Sequence, residues 1–366
     1  MRIGIDARLA DYTIGGIARY TVQLTNALAH LQSGHTIVAI RSRRPKIVPP
    51  EIAAEETLLV RTPPHHRFER FALGWELGRA GLDVLHSPDF IPPRPGRWRS
   101  VITVHDLAFL HFDGLLTGQS RRYYGAIGRA VHEADGIIAV SHATADDLVR
   151  LVGAPREKIR VIYEAPDSTL SPMPRADAAA AVADRFGLVD PYVLFIGTLE
   201  PRKNLPALVQ AFARIRQDFP VRLVIGGGSG WLSDQIFASV RAQAVADGVI
   251  FLGGIAPQDL RPLYCGAEAL ALPSLYEGFG LTAIEAMACG TPVVIANTGA
   301  LPEVVGDAGV QVQPNDPADI AQGLGWVLGN PAYREALAKR GVERAAAFSW
   351  ERAARETLAL YESVAA

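Results

Sequence analysis

Short apolar runs separated by amphipathic stretches recur along the whole chain. The runs lack a clear two-residue alternation, which indicates strands covered on both faces, as in a parallel sheet flanked by helices. In the first half they are residues 3–6, 36–40, 58–60, 84–86, 101–104 and 136–140. In the second half they are residues 192–196, 221–226, 249–252, 269–272 and 292–296. The pattern predicts an α/β protein with two doubly wound domains.

The expected boundary between these domains lies at a proline-rich stretch. A chain of 366 residues is longer than a single hydrophobic core usually supports. Residues 168–175 hold Pro172 and Pro174 just ahead of an alanine-rich helical stretch. Because prolines favour turns and linkers, the sequence predicts domains at 1–172 and 173–349 with a hinge between them.

Composition and charge are those of an ordinary globular protein. The net charge of −2 and the apolar fraction of 49% exclude a disordered chain and a strongly nucleic-acid-binding surface. Residues 1–172 carry a charge of +3 and the remainder −5, so the first half is the better candidate to meet an acidic partner. Cys265 and Cys289 show neither metal-site nor disulfide spacing. No apolar stretch reaches the ~18 residues of a membrane span, and no signal-peptide pattern opens the chain. We expect a cytoplasmic protein.

The most informative segment is a glycine-flanked loop that leads into a helix, at residues 275–290. Gly278 and Gly280 allow the backbone to approach a ligand closely and to adopt φ > 0. The amides of Leu281 and Thr282 lie at the start of the helix, where free N–H groups attract an anion. This loop therefore predicts a phosphate-binding site.

Two carboxylates flank the same loop. Glu277 stands before the turn, and Glu285 lies about one turn into the helix, so both can accept hydrogen bonds from ligand hydroxyls. A site that binds a phosphate and, on either side of it, hydroxyl groups suits a sugar nucleotide. Taken alone, the pair is better explained by carboxylates that cap helices in a buried loop.

With the surrounding Gly-Phe-Gly and Ala-Met-Ala-Cys-Gly-Thr-Pro, the spacing resembles the E-x7-E signature of family 4 glycosyltransferases. These are retaining enzymes of the GT-B fold, in which two Rossmann-like domains face a cleft. The resemblance covers almost the whole chain and implies that a last helix, residues 350–366, returns to the first domain. It implies that Glu277 contacts the transferred sugar, that the loop and helix start hold diphosphate or sugar, and that Glu285 binds the ribose. The donor-binding residues implied in this segment are Glu277, Gly278, Phe279, Gly280, Leu281, Thr282 and Glu285.

Gly15 and Gly16 follow the first strand and open the first predicted helix, which makes a second anion-attracting helix start. They resemble the family's Gly-Gly loop, which reaches toward the donor phosphate and the acceptor. Two glycines before a helix are also common in a plain turn, and the spacing is not that of a dinucleotide fingerprint.

Residues 197–204 follow the first strand of the second domain, at the edge where open α/β sheets bind ligands. Gly197 begins this loop, and Arg202 and Lys203 bring two cations to it. The family uses an Arg and a Lys here to stabilise the leaving nucleoside diphosphate. The alternative is a solvated pair of surface charges.

His105 follows a buried strand run and is expected at the carboxyl edge of the sheet. The resemblance implies contact with the sugar near its reactive carbon, although a histidine at a strand end is often structural. None of the nine histidines shows metal-ligand spacing. We expect neither metal nor cofactor. The expected catalytic residues are His105, Arg202, Lys203 and Glu277.

Two basic, aromatic stretches of the first half have an open interpretation. Arg94, Arg97, Trp98 and Arg99 form one, and Arg-Arg-Tyr-Tyr at 121–124 forms the other. They fit peripheral contact with the inner face of a membrane or with a lipid diphosphate, and they equally fit ordinary surface.

Together with these features, the family resemblance implies a retaining, metal-independent hexosyltransferase acting on a glycan or lipid-linked saccharide in surface polysaccharide or glycoconjugate assembly. The sequences of residues 104–107 and 197–204 are most similar to those of bacterial mannosyltransferases. GDP-mannose is therefore the preferred donor. The alternatives among enzymes are a UDP-sugar-dependent glucosyl- or N-acetylglucosaminyltransferase and a sugar-nucleotide epimerase. The alternative of another class is a non-catalytic sugar-nucleotide-binding protein. No nucleic-acid partner is expected.

Overall fold

The computed structural model describes residues 1–94, 96–112, 125–228 and 245–366. The chain divides into two compact units. The first comprises Met1–Glu164 together with Ser349–Ala366, and the second is Ala165–Phe348. The sequence predicted a domain boundary at residue 172, and the two compact units divide after Glu164.

In the first unit, the described residues form a sheet of seven parallel strands. They are β1 (Arg2–Asp6), β2 (Thr36–Ser42), β3 (Glu56–Val60), β4 (Val84–Ser87), β5 (Arg99–Val104), β6 (Gly136–Ala139) and β7 (Ile159–Val161). Their order across the sheet is β3-β2-β1-β4-β5-β6-β7. The helices that connect them are α1 (Gly16–His30), α2 (Glu69–Leu77), α3 (Ala108–His111), α4 (Ile127–Glu133) and α5 (His142–Asp147).

The second unit repeats this architecture with six parallel strands among its described residues. They are β8 (Tyr192–Ile196), β9 (Arg222–Gly226), β10 (Val249–Gly253), β11 (Ala269–Leu272), β12 (Val293–Ala296) and β13 (Val310–Val312). Their order is β10-β9-β8-β11-β12-β13. The helices are α6 (Arg175–Phe186), α7 (Leu205–Ile215), α8 (Pro257–Gly266), α9 (Leu281–Ala288), α10 (Leu301–Val305), α11 (Pro317–Gly329) and α12 (Pro331–Ala345).

The last helix, α13 (Trp350–Ala365), packs in the first unit. Its apolar face, which includes Ala354 and Leu360, joins the core formed by α1 and the central strands. Tyr361 of this helix is fully buried, and its hydroxyl lies 2.6 Å from Nδ1 of His86 on β4. The polar link fixes the helix against the middle of the sheet.

The sequence missed two strands, β7 and β13, and both lie at an edge of their sheet. Each has three residues, too few to show an apolar run, and each contains an exposed central residue, Arg160 or Gln311. An edge strand has a neighbour on one side only, so it needs less apolar sequence than the central strands.

Trp98, which the sequence placed in a basic surface loop, is buried. It is 7% exposed and packs with Val38, Leu77 and Leu85 in the core beneath α2. The second basic stretch, residues 121–124, lies outside the described residues. Among the described residues, the helices are all too short or too polar to cross a membrane.

Candidate functional site

In each unit the strand order reverses at one point, between β1 and β4 in the first and between β8 and β11 in the second. Connections leave the two sides of such a point in opposite directions, which opens a crevice at the carboxyl ends of the strands. The loops that follow β8 and β11 are residues 197–204 and 273–280. Because β8 and β11 pair directly, the fold brings these two loops together.

The centre of this edge is a buried ion pair between Lys203 and Glu277. Nζ of Lys203 donates to Oε1 of Glu277 over 2.6 Å, and the hydroxyl of Ser274 donates to the same oxygen over 2.7 Å. Ser274 is fully buried. The carboxylate is therefore held by two donors from separate loops before any ligand binds.

Arg202 binds the other oxygen of the carboxylate. Its Nη1 lies 3.1 Å from Oε2 of Glu277 and 3.2 Å from the carbonyl oxygen of Tyr276. Its Nε lies 2.7 Å from Oε1 of Glu200. The structure thus brings together Arg202, Lys203 and Glu277, which the sequence predicted as one site, and adds Glu200 and Ser274, which the sequence did not identify.

The electrostatics of this cluster favour an ionised Glu277. Burial alone would raise the pKa of Glu277, but the charges of Lys203 and Arg202 outweigh burial and lower it to about 2. Burial lowers the pKa of Lys203, and the charge of Glu277 opposes that effect. We assign an ion pair, because the 2.6 Å contact joins a strongly acidic carboxylate to the ammonium group.

Asn204 holds the cation-bearing loop in place. Its backbone adopts a left-handed conformation with φ of 58°, which is uncommon for a residue with a side chain. Its Nδ2 donates to the carbonyl oxygens of Pro273 and Pro314, at 3.1 and 2.6 Å. The amide side chain therefore ties residues 201–204 to the ends of two other strands.

Gly227 makes the tightest backbone approach near this edge. With φ of 144°, a Cβ added at Gly227 would lie 1.9 Å from the carbonyl oxygen of Gly197. Only glycine fits, so the loop after β9 can pack directly on the loop after β8. Gly197 was predicted as a site residue and Gly227 was not, although Gly227 lies in a run of three glycines at 226–228.

Helix α9 begins at Leu281, as predicted. Gly280 has φ of 98°, and its carbonyl accepts the first intrahelical bonds, from the amides of Ala283 and Ile284. The amides of Leu281 and Thr282 precede those bonds and have no intrahelical acceptor. This is a helix N-terminus of the kind that binds anions, immediately after the loop that carries Glu277.

The structure gives Phe279 a packing role for its side chain. Phe279 is 4% exposed, and its ring meets that of Phe348 edge to face at a centroid distance of 5.8 Å. The side chain belongs to the core of the second unit. The expected contact of Gly278 and Phe279 with the donor remains a prediction, and for Phe279 it would have to come from the backbone.

Glu285 is buried within α9. It is 2% exposed, and its Oε2 accepts a hydrogen bond of 2.9 Å from the hydroxyl of Tyr264. The carboxylate is thus oriented by a neighbouring helix. Its expected contact with a ribose remains a prediction.

In the first unit, His105 follows β5 and is held through both ring nitrogens. Nδ1 lies 2.8 Å from Oε1 of Glu164, and Nε2 lies 2.9 Å from the carbonyl oxygen of Pro88. A carbonyl and a carboxylate both accept, so the two contacts favour the doubly protonated ring. Burial alone would lower the pKa of His105, but the hydrogen bond and charge of Glu164 outweigh it and raise this pKa. The ring also stands edge-on to Tyr20, at 4.7 Å between centroids.

Gly15 and Gly16 form the start of α1, and both are exposed. A Cβ at Gly16 would meet no atom within 4 Å, and one at Gly15 would meet only Thr13 Oγ1, at 3.8 Å. Packing within the chain therefore does not require glycine here. Because glycine has no side chain, the space beside Gly15 and Gly16 at the start of α1 is open.

A small pocket with both polar and apolar lining residues lies near this helix start, at the switch point between β1 and β4. Its lining includes Asp6, Ser87 and Asp89, whose strands or loops end at this edge. Ser87 is 2% exposed, and its hydroxyl has no hydrogen-bond partner among the described residues. Arg8 also lines the pocket, is 1% exposed and binds Oδ2 of Asp6 over 2.6 Å. The pocket thus combines paired carboxylates with the unpartnered hydroxyl of Ser87.

Metal ligands do not cluster in the described part of the chain. Across those residues, no group of three or more His, Cys, Asp or Glu side chains is arranged to hold a metal ion.

Comparison with known proteins identifies the relatives of this chain. Residues 185–344 match the family model described as glycosyl transferases group 1, and residues 14–169 match that of glycosyltransferase family 4. O-antigen chain mannosyltransferase B from Escherichia coli is 34% identical over 286 residues, which span 76% of this chain and 74% of that protein.

Solved structures show the same architecture. Sucrose-phosphate synthase from Thermosynechococcus elongatus superposes with a TM-score of 0.82 at 26% identity, covering 99% of this chain and 98% of that one. Anabaena HepE in complex with UDP and glucose has a TM-score of 0.78 at 18% identity, with 99% and 100% covered. Both likenesses extend over the two units of the chain.

Proposed function

The chain belongs to the family 4 glycosyltransferases and has the GT-B fold, and we propose that it transfers a hexose from a nucleotide diphosphate sugar to an acceptor hydroxyl with retention of configuration and without a metal ion. The observation that carries this proposal is the cluster of Arg202, Lys203 and Glu277 beside the free helix start at Leu281. Cations, backbone amides and an ionised carboxylate in one place suit a diphosphate joined to a sugar.

The cations are proposed to stabilise the leaving nucleoside diphosphate. The ammonium group of Lys203 has three donors and the guanidinium of Arg202 has five, so the bonds to Glu277 and Glu200 leave others for phosphate oxygens. The amides of Leu281 and Thr282 add donors on the adjacent helix start. A departing diphosphate gains negative charge, and donors already in place stabilise that charge more than they stabilise the substrate.

Glu277 is proposed to hold hydroxyls of the transferred hexose, and Glu285 those of the ribose. Both carboxylates are fixed before binding, Glu277 by Lys203 and Ser274 and Glu285 by Tyr264. In this reaction the bond between the anomeric carbon and the diphosphate breaks, the acceptor hydroxyl attacks from the same face, and the departing diphosphate takes the acceptor proton. No side chain is assigned as a covalent nucleophile.

The first unit is proposed to supply the acceptor side. His105 is assigned to contact the sugar near its reactive carbon, and Gly15 and Gly16 to admit the donor phosphate to the start of α1. Asp6, Ser87 and Asp89 line a pocket of this unit and suit the hydroxyls of an acceptor, because carboxylates accept hydrogen bonds from hydroxyls. A glycan or lipid-linked saccharide fits this description. We place the reaction in the cytoplasm, with peripheral contact at the inner face of the membrane through this unit.

For the donor we propose GDP-mannose, which the similarity to the Escherichia coli mannosyltransferase supports. The competing donor is a UDP-sugar, which the likeness to Anabaena HepE with bound UDP and glucose favours. Incubating the protein with GDP-mannose, UDP-glucose, UDP-N-acetylglucosamine and ADP-glucose, and measuring nucleoside diphosphate release with and without a saccharide acceptor, decides between them. Acceptor-dependent release from GDP-mannose supports the proposal. Binding without release from any donor would instead support a non-catalytic sugar-nucleotide-binding protein.

Isosteric variants distinguish the proposed roles of Glu277 and Glu285. Glu277→Gln should lower turnover and discrimination between sugars but spare the affinity for free nucleoside diphosphate, because that ligand lacks the hexose. Glu285→Gln should weaken binding of the nucleoside diphosphate itself. Calorimetric titration of both variants measures the difference, and interchanged phenotypes would reject the division of roles.

A further inference from the structure

The two cysteines of the chain meet at the ends of helices α8 and α9. Cys265 is the penultimate residue of α8, and Cys289 directly follows the last residue of α9. The sulfur of Cys265 lies 3.5 Å from the carbonyl oxygen of Cys289, and the two thiols are hydrogen-bonded to each other. Both cysteines are free. The fold thus pairs two thiols that stand 24 positions apart in the sequence.

The surroundings of Cys265 favour its thiolate. The amide of Met173 donates to the sulfur, and Arg261 brings a positive charge from one helical turn earlier on α8. Arg261 is held in place by two bonds of 2.9 Å to backbone carbonyl oxygens. The hydrogen bond from Cys289 and these two groups outweigh burial and lower the pKa of Cys265, whereas the same thiol–thiol bond raises the pKa of Cys289. Because the thiolate is the nucleophile, Cys265 is the reactive partner.

Access from solvent differs in the same sense. Cys265 is half-buried, whereas Cys289 is 4% exposed. A small oxidant in solution can therefore reach the sulfur of Cys265, while that of Cys289 is shielded. An accessible thiolate beside a second thiol is the arrangement found in redox-sensing cysteine pairs.

We propose that Cys265 and Cys289 form a reversible disulfide when the protein meets hydrogen peroxide. The Cys265 thiolate attacks one peroxide oxygen, the O–O bond breaks, and the hydroxide that leaves takes up the proton that Cys265 released. Cys265 is now a sulfenic acid. The sulfur of Cys289 attacks the sulfur of Cys265, the S–O bond breaks, and the departing hydroxide takes the proton of Cys289.

The reaction balances with peroxide as the oxidant. Two thiols lose two electrons in forming the S–S bond, and one hydrogen peroxide gains them and becomes two water molecules. A thiol reductant reverses the bond by exchange. In the cytoplasm, where we place the proposed reaction, such a disulfide is transient and suits sensing rather than structural support.

The disulfide forms next to Glu285, the carboxylate proposed to bind the ribose. Tyr264, whose hydroxyl donates to Glu285 over 2.9 Å, directly precedes Cys265. Glu285 lies one helical turn before Cys289, and the amide of Cys289 donates to its carbonyl oxygen over 3.1 Å. An S–S bond of about 2.05 Å is shorter than the hydrogen bond that it replaces, so oxidation draws the ends of α8 and α9 together.

This movement meets a contact that is already short. The hydroxyl of Thr291 donates to the carbonyl oxygen of Tyr264 over 2.6 Å, so the backbone at Tyr264 cannot come closer without turning. A turn there moves the hydroxyl of Tyr264 away from Glu285. On the proposed role of Glu285, on which this step rests, oxidation should weaken binding of a nucleoside diphosphate at least about tenfold, the usual effect of losing one hydrogen bond to a charged group.

Peptide mass spectrometry of the full-length protein tests the bond itself. Hydrogen peroxide added to the folded protein, followed by alkylation without reductant, should give a peptide pair that links Cys265 to Cys289 and is lost with dithiothreitol. In Cys289→Ser, dimedone should instead label the sulfenic acid at Cys265. In Cys265→Ser, Cys289 should stay a free thiol under the same conditions. Cys289→Ala replaces Cys289→Ser if thermal unfolding shows that the buried hydroxyl prevents folding.

Calorimetric titration with GDP and with UDP tests the effect on the site. Oxidised wild type should bind the preferred nucleotide at least about tenfold more weakly than reduced wild type, and dithiothreitol should restore the affinity. Cys265→Ser should bind alike before and after peroxide. Tyr264→Phe should bind weakly when reduced and lose little more on oxidation, because its bond to Glu285 is already absent.

Two results would overturn the proposal. One is that both thiols of folded wild type stay free under peroxide, and the other is that the disulfide protein binds nucleotide as tightly as the reduced protein. A disulfide that forms in a protein binding neither GDP nor UDP when reduced would uphold the thiol pair and count against the proposed sugar transfer instead. The mass measurement contains no nucleotide, so the two failures are distinguishable.

Discussion

Lys203 and Glu277 form a buried ion pair in the second unit, with Nζ 2.6 Å from Oε1 and side chains 10% and 9% exposed. The two residues come from loops after neighbouring parallel strands, so their contact depends on the fold as well as on the proposed chemistry. Removing one partner leaves the other charge buried with fewer donors or acceptors.

The ion pair predicts strong coupling between its partners. Lys203→Met and Glu277→Gln should each lower the free energy of unfolding by about 3 kcal/mol, because each leaves a buried group uncompensated. The double variant should lose less than the sum of the two by about 1 kcal/mol or more. Urea unfolding of all four proteins measures this. The pair Arg216 and Asp247, at 2.7 Å on the surface, is the control and should couple far more weakly because solvent screens it. Additive losses at Lys203 and Glu277 would refute the coupling.

Arg202 is predicted to act on the rate. Arg202→Ala should reduce turnover by a factor of ~10² to 10³, the usual cost of losing one electrostatic contact to developing charge. Because the side chain is 19% exposed and its loop is held by Asn204, we expect a smaller effect on folding. Steady-state kinetics with the donor, alongside thermal unfolding, separates the two effects. Arg222→Ala, which removes an arginine paired with Asp190 in the same unit, should leave turnover unchanged. Near-normal turnover in Arg202→Ala would remove this residue from the site.

Gly227 is predicted to tolerate no side chain. Gly227→Ala should lower the free energy of unfolding by more than about 3 kcal/mol, because the new Cβ meets the carbonyl of Gly197 and the backbone has φ of 144°. Gly228→Ala, whose Cβ would meet no atom of the described residues within 4 Å, should change stability by less than about 0.5 kcal/mol. Chemical denaturation compares them. Equal stabilities would show that the loops at 197 and 227 do not pack as described.

His105 is predicted to titrate under the control of Glu164. In wild type the pKa of His105 is raised above its usual 6.5, and Glu164→Gln should lower it by removing the facing charge. A raised pKa in the folded state contributes stability that is fully present below pH 6.5 and lost as pH rises through the folded-state pKa. The difference in unfolding free energy between wild type and Glu164→Gln should therefore be largest at acidic pH and shrink as pH rises.

NMR titration of the histidine ring protons tests this assignment, with His105→Asn identifying the resonance. The other histidines should titrate alike in both proteins. An unchanged pKa of His105 in Glu164→Gln would show that the 2.8 Å contact does not set its charge.

The central strands and the main site loops were predictable from the sequence because their signals are local. Apolar runs marked β8 and β11, and once those strands are neighbours, Arg202, Lys203 and Glu277 must meet at their carboxyl ends. Contacts set by long-range packing left no such signal. Ser274 and Glu164 resemble many other polar residues in the sequence and acquire their roles only when Glu277 and His105 fold against them.

Residue type also gave the wrong prediction for side chains whose role depends on their surroundings in the fold. Phe279 lies inside the recognised motif, yet its ring packs on Phe348. Trp98 lies among arginines in the sequence, but its indole packs in the core under α2. The exposed aromatic rings here are those of Phe71 and Trp75, on the helix itself. A local pattern of charge and aromaticity does not reveal which side of the backbone faces the core.

The most direct test of sugar transfer with retention is the anomeric configuration of the product. Proton NMR of the saccharide formed from GDP-mannose, an α-linked donor, reads the new linkage from its anomeric signals. The proposed reaction predicts an α-mannosyl product, formed together with one nucleoside diphosphate and reduced in parallel by Arg202→Ala and Glu277→Gln. A β-linked product would contradict the proposed mechanism.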